Sequence, residues 1–258
     1  MLSSVGWAAL GVGFIFLMTS LGAASVLFCR EDTLPKSQTG MMGFAGGVMT
    51  AATVWSMLLP AIEQTRAEGT LPCWLPAAAG TAAGAAFLCA LDALILCLRR
   101  GGSAEKSSML MTAITLHNIP EGLAVGVAFG ALGTGASPDG LMGAVSIAVG
   151  IGLQNFPEGA AVSVPLRREG YSRRRSFLLG QASGLVEPVS GVIGALLVVT
   201  VEAILPYALA FAAGAMILVA VHELIPECQQ NQKEQPYCAT MGIILGFAVM
   251  MLLDVMLG

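Results

Sequence analysis

The chain has 258 residues, 56% of them hydrophobic and 11% charged, with a mean hydropathy of +0.80; this excludes an ordinary soluble globular protein. Its 32 Gly and 14 Met suit closely packed membrane helices, and its six scattered Cys contain no CxxC pair, so neither a disulfide framework nor a zinc knuckle is expected. A formal net charge of -4 says less than where the charges lie.

About 20 apolar residues are needed for one helical crossing. The sequence predicts an all-α polytopic membrane protein, a single domain over 1–258 with eight transmembrane helices at about 5–28, 40–62, 75–98, 108–132, 139–166, 176–200, 203–225 and 239–257. The first run has no basic segment before it and reads as a retained span, not a signal peptide. Span two carries Met49, Ser56 and Glu63, seven residues apart and therefore on roughly one stripe. Span three carries Asp92, which either lines a path or pairs locally. Span four contains His117-Asn118-Ile119-Pro120-Glu121-Gly122, and span five a near copy, Gln154-Asn155-Phe156-Pro157-Glu158-Gly159. Glu187 stands before Pro188 in span six. Span seven ends in His222-Glu223 with Glu227 beyond, and Asp254 lies near the end of span eight.

Orientation follows from Lys and Arg. Eleven of the 12 fall in the connections after spans one, three, five and seven, and only Arg66 falls on the other side. The odd connections are therefore expected in the cytoplasm and both termini outside. The Arg173–Arg175 cluster is explained as an anchor at the lipid head groups, and no nucleic-acid partner is expected. Read by depth, Ser56, Glu63 and Asp254 form an entrance, the paired motifs a cluster at the middle, and His222, Glu223 and Glu227 an exit.

The paired motifs carry the chemistry. Helix positions i, i+3 and i+4 share a face, so His117, Asn118 and Glu121 project together, as do Gln154, Asn155 and Glu158. A proline inside a helix removes a hydrogen bond and kinks it; Pro120 should free the carbonyl of Leu116, and Pro157 that of Leu153. Ionisable groups at membrane depth are costly unless they meet a partner, a proton or a cation. Imidazole, amide oxygen and carboxylate on facing helices suit a divalent first-row metal. Such carboxylates, held close together, share protons that a dication would displace. Several residues also have plainer readings: Met49 as a gap filler, Ser56 bonded back to its own helix, Gln154 as an interhelical hydrogen bond. Cys228 and Cys238, flanking one loop, have no specific metal spacing.

On HNIPEG and QNFPEG the chain resembles the ZIP (zinc/iron-regulated transporter-like) family of divalent-metal transporters, within it the GufA-like branch, over its whole length. The resemblance implies a metal site near the midplane, often with two ions. His117, Glu121 and Glu158, with Met49, match the first position; Asn118, Asn155 and Glu187 match the second; Gln154 stands where His117 stands in the repeat. Glu63 and Asp254 resemble entrance residues, His222 and Glu223 exit residues. The place of Asn155 is often Asp in relatives, so the second position here has one formal charge fewer. The third connection is short and without His, which discounts metal sensing there.

The expected function is uptake of a divalent cation, zinc above cadmium, iron or manganese, by alternating access and with proton linkage. The metal is substrate, not cofactor, and no enzyme activity is expected. A channel-like conductor is the alternative. An intramembrane metalloprotease is poorly supported, because the second His of an HExxH pattern begun at His222 is Pro226. A homodimer is compatible with small-residue faces such as Gly80 and Gly84.

Overall fold

The structure is a computed structural model that describes residues 3–28, 34–69, 71–99, 106–133, 138–200, 202–229 and 237–257. All regular elements among them are helical. The helices are α1 (Ser4–Phe28), α2 (Leu34–Ala52), α3 (Leu59–Glu68), α4 (Trp74–Arg99), α5 (Lys106–Gly130), α6 (Pro138–Arg168), α7 (Arg173–Ser183), α8 (Val186–Thr200), α9 (Leu205–Val219), α10 (Ile225–Gln229) and α11 (Cys238–Leu257). Seven helical segments among the described residues are long and apolar enough to cross a membrane. The remaining expected span, 108–132, coincides with α5.

Three places depart from the regular spans the sequence predicts. Between α2 and α3 the chain runs through a π turn, Thr53–Leu58, and between α9 and α10 through another, Ala220–Leu224. Each precedes a proline. Pro60 cannot donate to Ser56, nor Pro226 to His222, and the proline ring crowds that carbonyl. The turn widens instead, and the N–H before each proline reaches five residues back: Leu59 to Val54, Ile225 to Ala220. Pro120 and Pro157, by contrast, sit inside continuous helices. Span six is not one helix: α7 stops at Ser183, and α8 starts at Val186 after Gly184 and Leu185.

The helices pair most extensively as α2 with α11, α1 with α6, α5 with α8, and α4 with α9. Each pair closes through glycine. A Cβ at Gly47 would overlap the Ile243 carbonyl, at Gly22 that of Phe156, at Gly126 that of Gly191, and at Gly84 that of Phe211. With no apolar driving force between helices in lipid, such backbone approach is what van der Waals packing requires. Gly80 and Gly84 are thus used within the chain, against α9, so they no longer speak for a dimer face. The pairs assemble into two bundles, one of α1, α5, α6, α7 and α8, the other of α2, α3, α4, α9, α10 and α11. They meet mainly where α6 packs on α2 and α11, and α5 on α9.

Ends of elements are matched across the first bundle. The Ser4 hydroxyl donates to the Gly133 carbonyl, so the start of α1 meets the end of α5. At the other end of α1, Arg173 Nη1 donates to the Leu27 carbonyl at 3.2 Å, placing a cation on a helix C-terminus. Arg175 lies 4.7 Å from the Tyr171 ring centroid, and Arg167 Nη1 donates to the Tyr171 carbonyl.

Candidate metal site

Three helices of one bundle bring the predicted ligands together. α5 supplies Asn118 and Glu121, α6 supplies Gln154, Asn155 and Glu158, and α8 supplies Glu187 from its first turn. All six are buried, with Glu121, Gln154, Asn155 and Glu187 at 0% exposure and Glu158 at 3%. The close α5–α8 contact is forced by Gly122, where a Cβ would overlap the carbonyl of Glu187.

The hydrogen bonds divide the cluster in two. In the first part, Gln154 Nε2 donates to Glu121 Oε1, and the carboxyl groups of Glu121 and Glu158 approach one another. Carboxylates only accept, so that contact requires a proton or a cation between them. In the second part, Asn155 Nδ2 donates to Glu187 Oε1 at 3.1 Å, and the Thr19 hydroxyl donates to the same oxygen at 2.9 Å. Asn118 Nδ2 donates to the Ser183 carbonyl at 2.9 Å, a carbonyl freed by the break between α7 and α8. Glu187 is within electrostatic reach of both Glu121 and Glu158.

Seven buried oxygens of this cluster have no hydrogen-bond partner among the described residues: Asn118 Oδ1, Glu121 Oε2, Gln154 Oε1, Asn155 Oδ1, both carboxylate oxygens of Glu158, and Glu187 Oε2. Buried polar atoms are nearly always paired, and leaving even one unpaired costs about 1–3 kcal/mol. Seven together, all acceptors and from three helices, make a cradle suited to cations or protons. Among the described residues no three His, Cys, Asp or Glu form a metal-holding group on their own; the donor set of the cradle is carboxylate plus amide. The side chains of His117, Glu223 and Glu227 lie outside the described residues. Met49 is fully buried, in the same core as Ile151, one turn before Asn155.

Two further predicted groups meet at a second place. Ser56 Oγ, in the first π turn, donates to both Asp254 oxygens at 2.8 and 2.9 Å, and Ser146 Oγ donates to Asp254 Oδ1 at 3.1 Å. Ser56 therefore bonds to α11 and not back to its own helix. Glu63 is exposed further along, on α3, and the intervening π turn shifts the phase of the stripe expected from Met49 through Ser56 to Glu63. His222 is exposed on the second π turn and Asp92 on α4. Cys228 is buried and donates to the Ile225 carbonyl, whereas Cys238 packs near Gly40. Thr19 and Ser146 are the site residues that sequence reasoning missed. The faint signal for Thr19 was a Thr-Ser pair inside the apolar first span.

The sequence model of a family described as "ZIP Zinc transporter" matches residues 99–254, the stretch that holds every cradle residue. The chain belongs to the ZIP family. Among its ZIP relatives, zinc transporter GufA of Myxococcus xanthus is 40% identical over 250 aligned positions, covering 93% of this chain and 94% of that protein. Zinc transporter ZIP11 of Homo sapiens is 37% identical over 341 positions, covering 99% and 98%. Zinc transporter ZIPB of Bordetella bronchiseptica is 37% identical over 269 positions, covering 98% and 82%. The resemblance read from HNIPEG and QNFPEG, including its GufA-like branch, is borne out.

Proposed function

We propose that this chain carries Zn2+ inward across the inner (plasma) membrane as a multi-pass transporter working by alternating access. The observation that carries the reading is the cradle on α5, α6 and α8 of seven buried oxygens that have no hydrogen-bond partner among the described residues. The relatives named zinc transporters support zinc as the substrate. Cadmium, iron and manganese compete, since carboxylate, amide and imidazole do not separate these ions sharply.

The topology we assign has eight crossings in one domain, with both termini outside. The meeting of Ser4 with Gly133 at one end of α1, and of Arg173 with Leu27 at the other, supports alternating directions. Cysteines introduced beside Arg174 and beside Arg66 should label from opposite sides of the membrane; equal labelling from outside would overturn this topology.

The ion leaves water at Glu63 and Asp254, beside Ser56. It exchanges its hydration shell for Glu121, Glu158 and Gln154, with His117 and Met49 completing the first position. Asn118, Asn155 and Glu187 form the second position. The same oxygens accept either protons or a dication, so loading with metal releases protons. Movement of the α1/α5–α8 bundle against the other, along the contacts of α6 and α5, re-exposes the site toward His222, Glu223 and Glu227.

The test is zinc uptake and counterflow by the purified protein in proteoliposomes, followed by a competition series with cadmium, iron and manganese at fixed pH. Zinc counterflow with zinc preferred is expected. Zinc flux without counterflow would make the protein a channel, and no metal flux would overturn the reading.

A further inference from the structure

Thr19 is a hydroxyl on α1, in a stretch that is otherwise packing surface, yet it is buried and reaches the second ion position. A threonine in a membrane helix ordinarily bonds back to the carbonyl four residues earlier. Thr19 does face the Ile15 carbonyl, at 3.2 Å, but its hydroxyl is closer to Glu187 Oε1, at 2.9 Å. It also accepts from Asn155 Nδ2 at 3.1 Å. Its neighbour Ser20 shows the ordinary pattern, donating to the Phe16 carbonyl at 2.9 Å.

The backbone puts Thr19 there. A Cβ at Gly159 would overlap the Thr19 carbonyl, one at Gly22 would overlap the Phe156 carbonyl, and one at Gly184 would press on Thr19 Cγ2 and Glu187 Oε1. Glycines from α1, α6 and the α7–α8 break thus bring three backbones together around this one side chain.

We propose that Thr19 is a positioning residue that sets the second ion position, by orienting Glu187 and Asn155 at once. The logic is one of donors and acceptors. Glu187 as a carboxylate only accepts, so the Asn155 amide must turn its Nδ2 toward it. Thr19 holds the same Nδ2 from the other side and donates its own proton to Glu187. Asn155 Oδ1 and Glu187 Oε2 are then left as the oxygens to offer, and both are buried without a partner among the described residues. Thr19 itself need not touch the ion. It makes the amide present oxygen and leaves the carboxylate one oxygen to offer, so Asn155 and Glu187 each bring a single defined oxygen to the second position. This inference rests on the metal-site reading above and adds a residue from a helix outside the paired motifs.

The experiment is zinc titration of purified full-length protein with bound-metal stoichiometry, on wild type, Thr19→Val, Thr19→Ser, Glu187→Gln, Thr19→Val/Glu187→Gln and the control Ser20→Ala. Wild type should bind a tighter and a weaker ion. Thr19→Val, close in shape but lacking the hydroxyl, should weaken the second ion by about tenfold or more, the scale for losing a partner that orients a ligand. The first ion should stay unaltered. Thr19→Ser should restore the second ion, Ser20→Ala should match wild type, and Thr19→Val should add nothing to Glu187→Gln. The inference is overturned if Thr19→Val binds both ions like wild type, if Thr19→Ser fails as Thr19→Val does, or if the two substitutions add. A wild type that binds a single ion also overturns it, while leaving the Glu121–Glu158 position standing. Failure of that position itself would show separately, as zinc transport that survives Glu121→Ala.

Discussion

The two halves of the buried cluster have similar composition and different hydrogen-bond states. Around Glu187, one carboxylate oxygen takes donors from Thr19 and Asn155. Around Glu158, neither oxygen has a donor among the described residues, and the carboxyl of Glu121 lies close by. In the first half only Gln154 donates, to Glu121, so the approach of the two carboxyls needs a cation or a proton, whereas in the second Thr19 and Asn155 both donate to Glu187. An ion gains more by entering the first half, because at Glu158 it displaces no hydrogen bond from a described residue. On the two-position reading proposed above, that difference predicts a tighter position at Glu121 and Glu158 and a weaker one at Glu187. It also assigns Asn155 a role: its amide donates to Glu187, which a carboxylate at that place could not do.

Breaking the first half has the largest expected effect. Glu121→Ala or Glu158→Ala removes one of the carboxylates that neutralise a bound dication, leaving that ion under-neutralised at membrane depth, where an unpaired buried charge costs about 3–5 kcal/mol. Uptake by either variant should fall by about 100-fold or more, with normal amounts of protein in the membrane. Uptake assays paired with surface quantification decide this, and near-normal transport would remove the site.

A smaller effect should come from making the second half resemble the first. Asn155→Asp removes the donor to Glu187 and sets two carboxylates face to face. The metal-free protein should lose thermal stability, and added zinc should restore more than it does for wild type, because a ligand bound only by the folded state stabilises it by mass action. The weaker ion should tighten, and release should slow, since a carrier must let go as well as bind. Melting curves with and without zinc, beside the transport rate, measure both parts. Unchanged curves and an unchanged rate would mean that Asn155 faces no ion.

The smallest effect belongs to the second cluster, where Asp254 already has the hydroxyls of Ser56 and Ser146 as partners. Ser146 sits on α6 and Asp254 on α11, in opposite bundles, so their hydrogen bond crosses the seam. Ser146→Ala removes one bond of about 0.5–1.5 kcal/mol. It should lower the zinc concentration for half-maximal uptake by about twofold, by freeing an Asp254 oxygen, and leave the maximal rate unchanged. A collapse of the maximal rate would place Ser146 in the transport machinery proper.

Much of this was legible in the chain. The apolar runs fell on helices, and the repeat of Asn-x-Pro-Glu-Gly placed Glu121 and Glu158 in one buried site, because helical spacing fixes which side chains share a face. What escaped had nonlocal causes. The break after Ser183 depends on Asn118 taking a carbonyl 65 residues away, although Gly184 and Pro188 hinted at it. The π turns at Thr53–Leu58 and Ala220–Leu224 come from prolines that elsewhere, as in α5 and α6, sit in continuous helices; hydropathy does not distinguish the two outcomes. Thr19 could not be found from its own span, since its partners lie 136 and 168 residues away. Gly80 and Gly84 looked like a dimer face because a small-residue stripe does not say which helix fills it, and here α9 does.

The central claim is that the transported ion sits between Glu121 and Glu158. Anomalous diffraction at the zinc edge, from crystals of the full chain grown with zinc, tests it most directly. The account predicts the strongest peak at about 2.0–2.2 Å from carboxylate oxygens of Glu121 and Glu158, and its loss in crystals of Glu158→Gln. A strongest peak away from both carboxylates, at Asp254 or at the exposed Glu63 for example, and unchanged in Glu158→Gln, would contradict it.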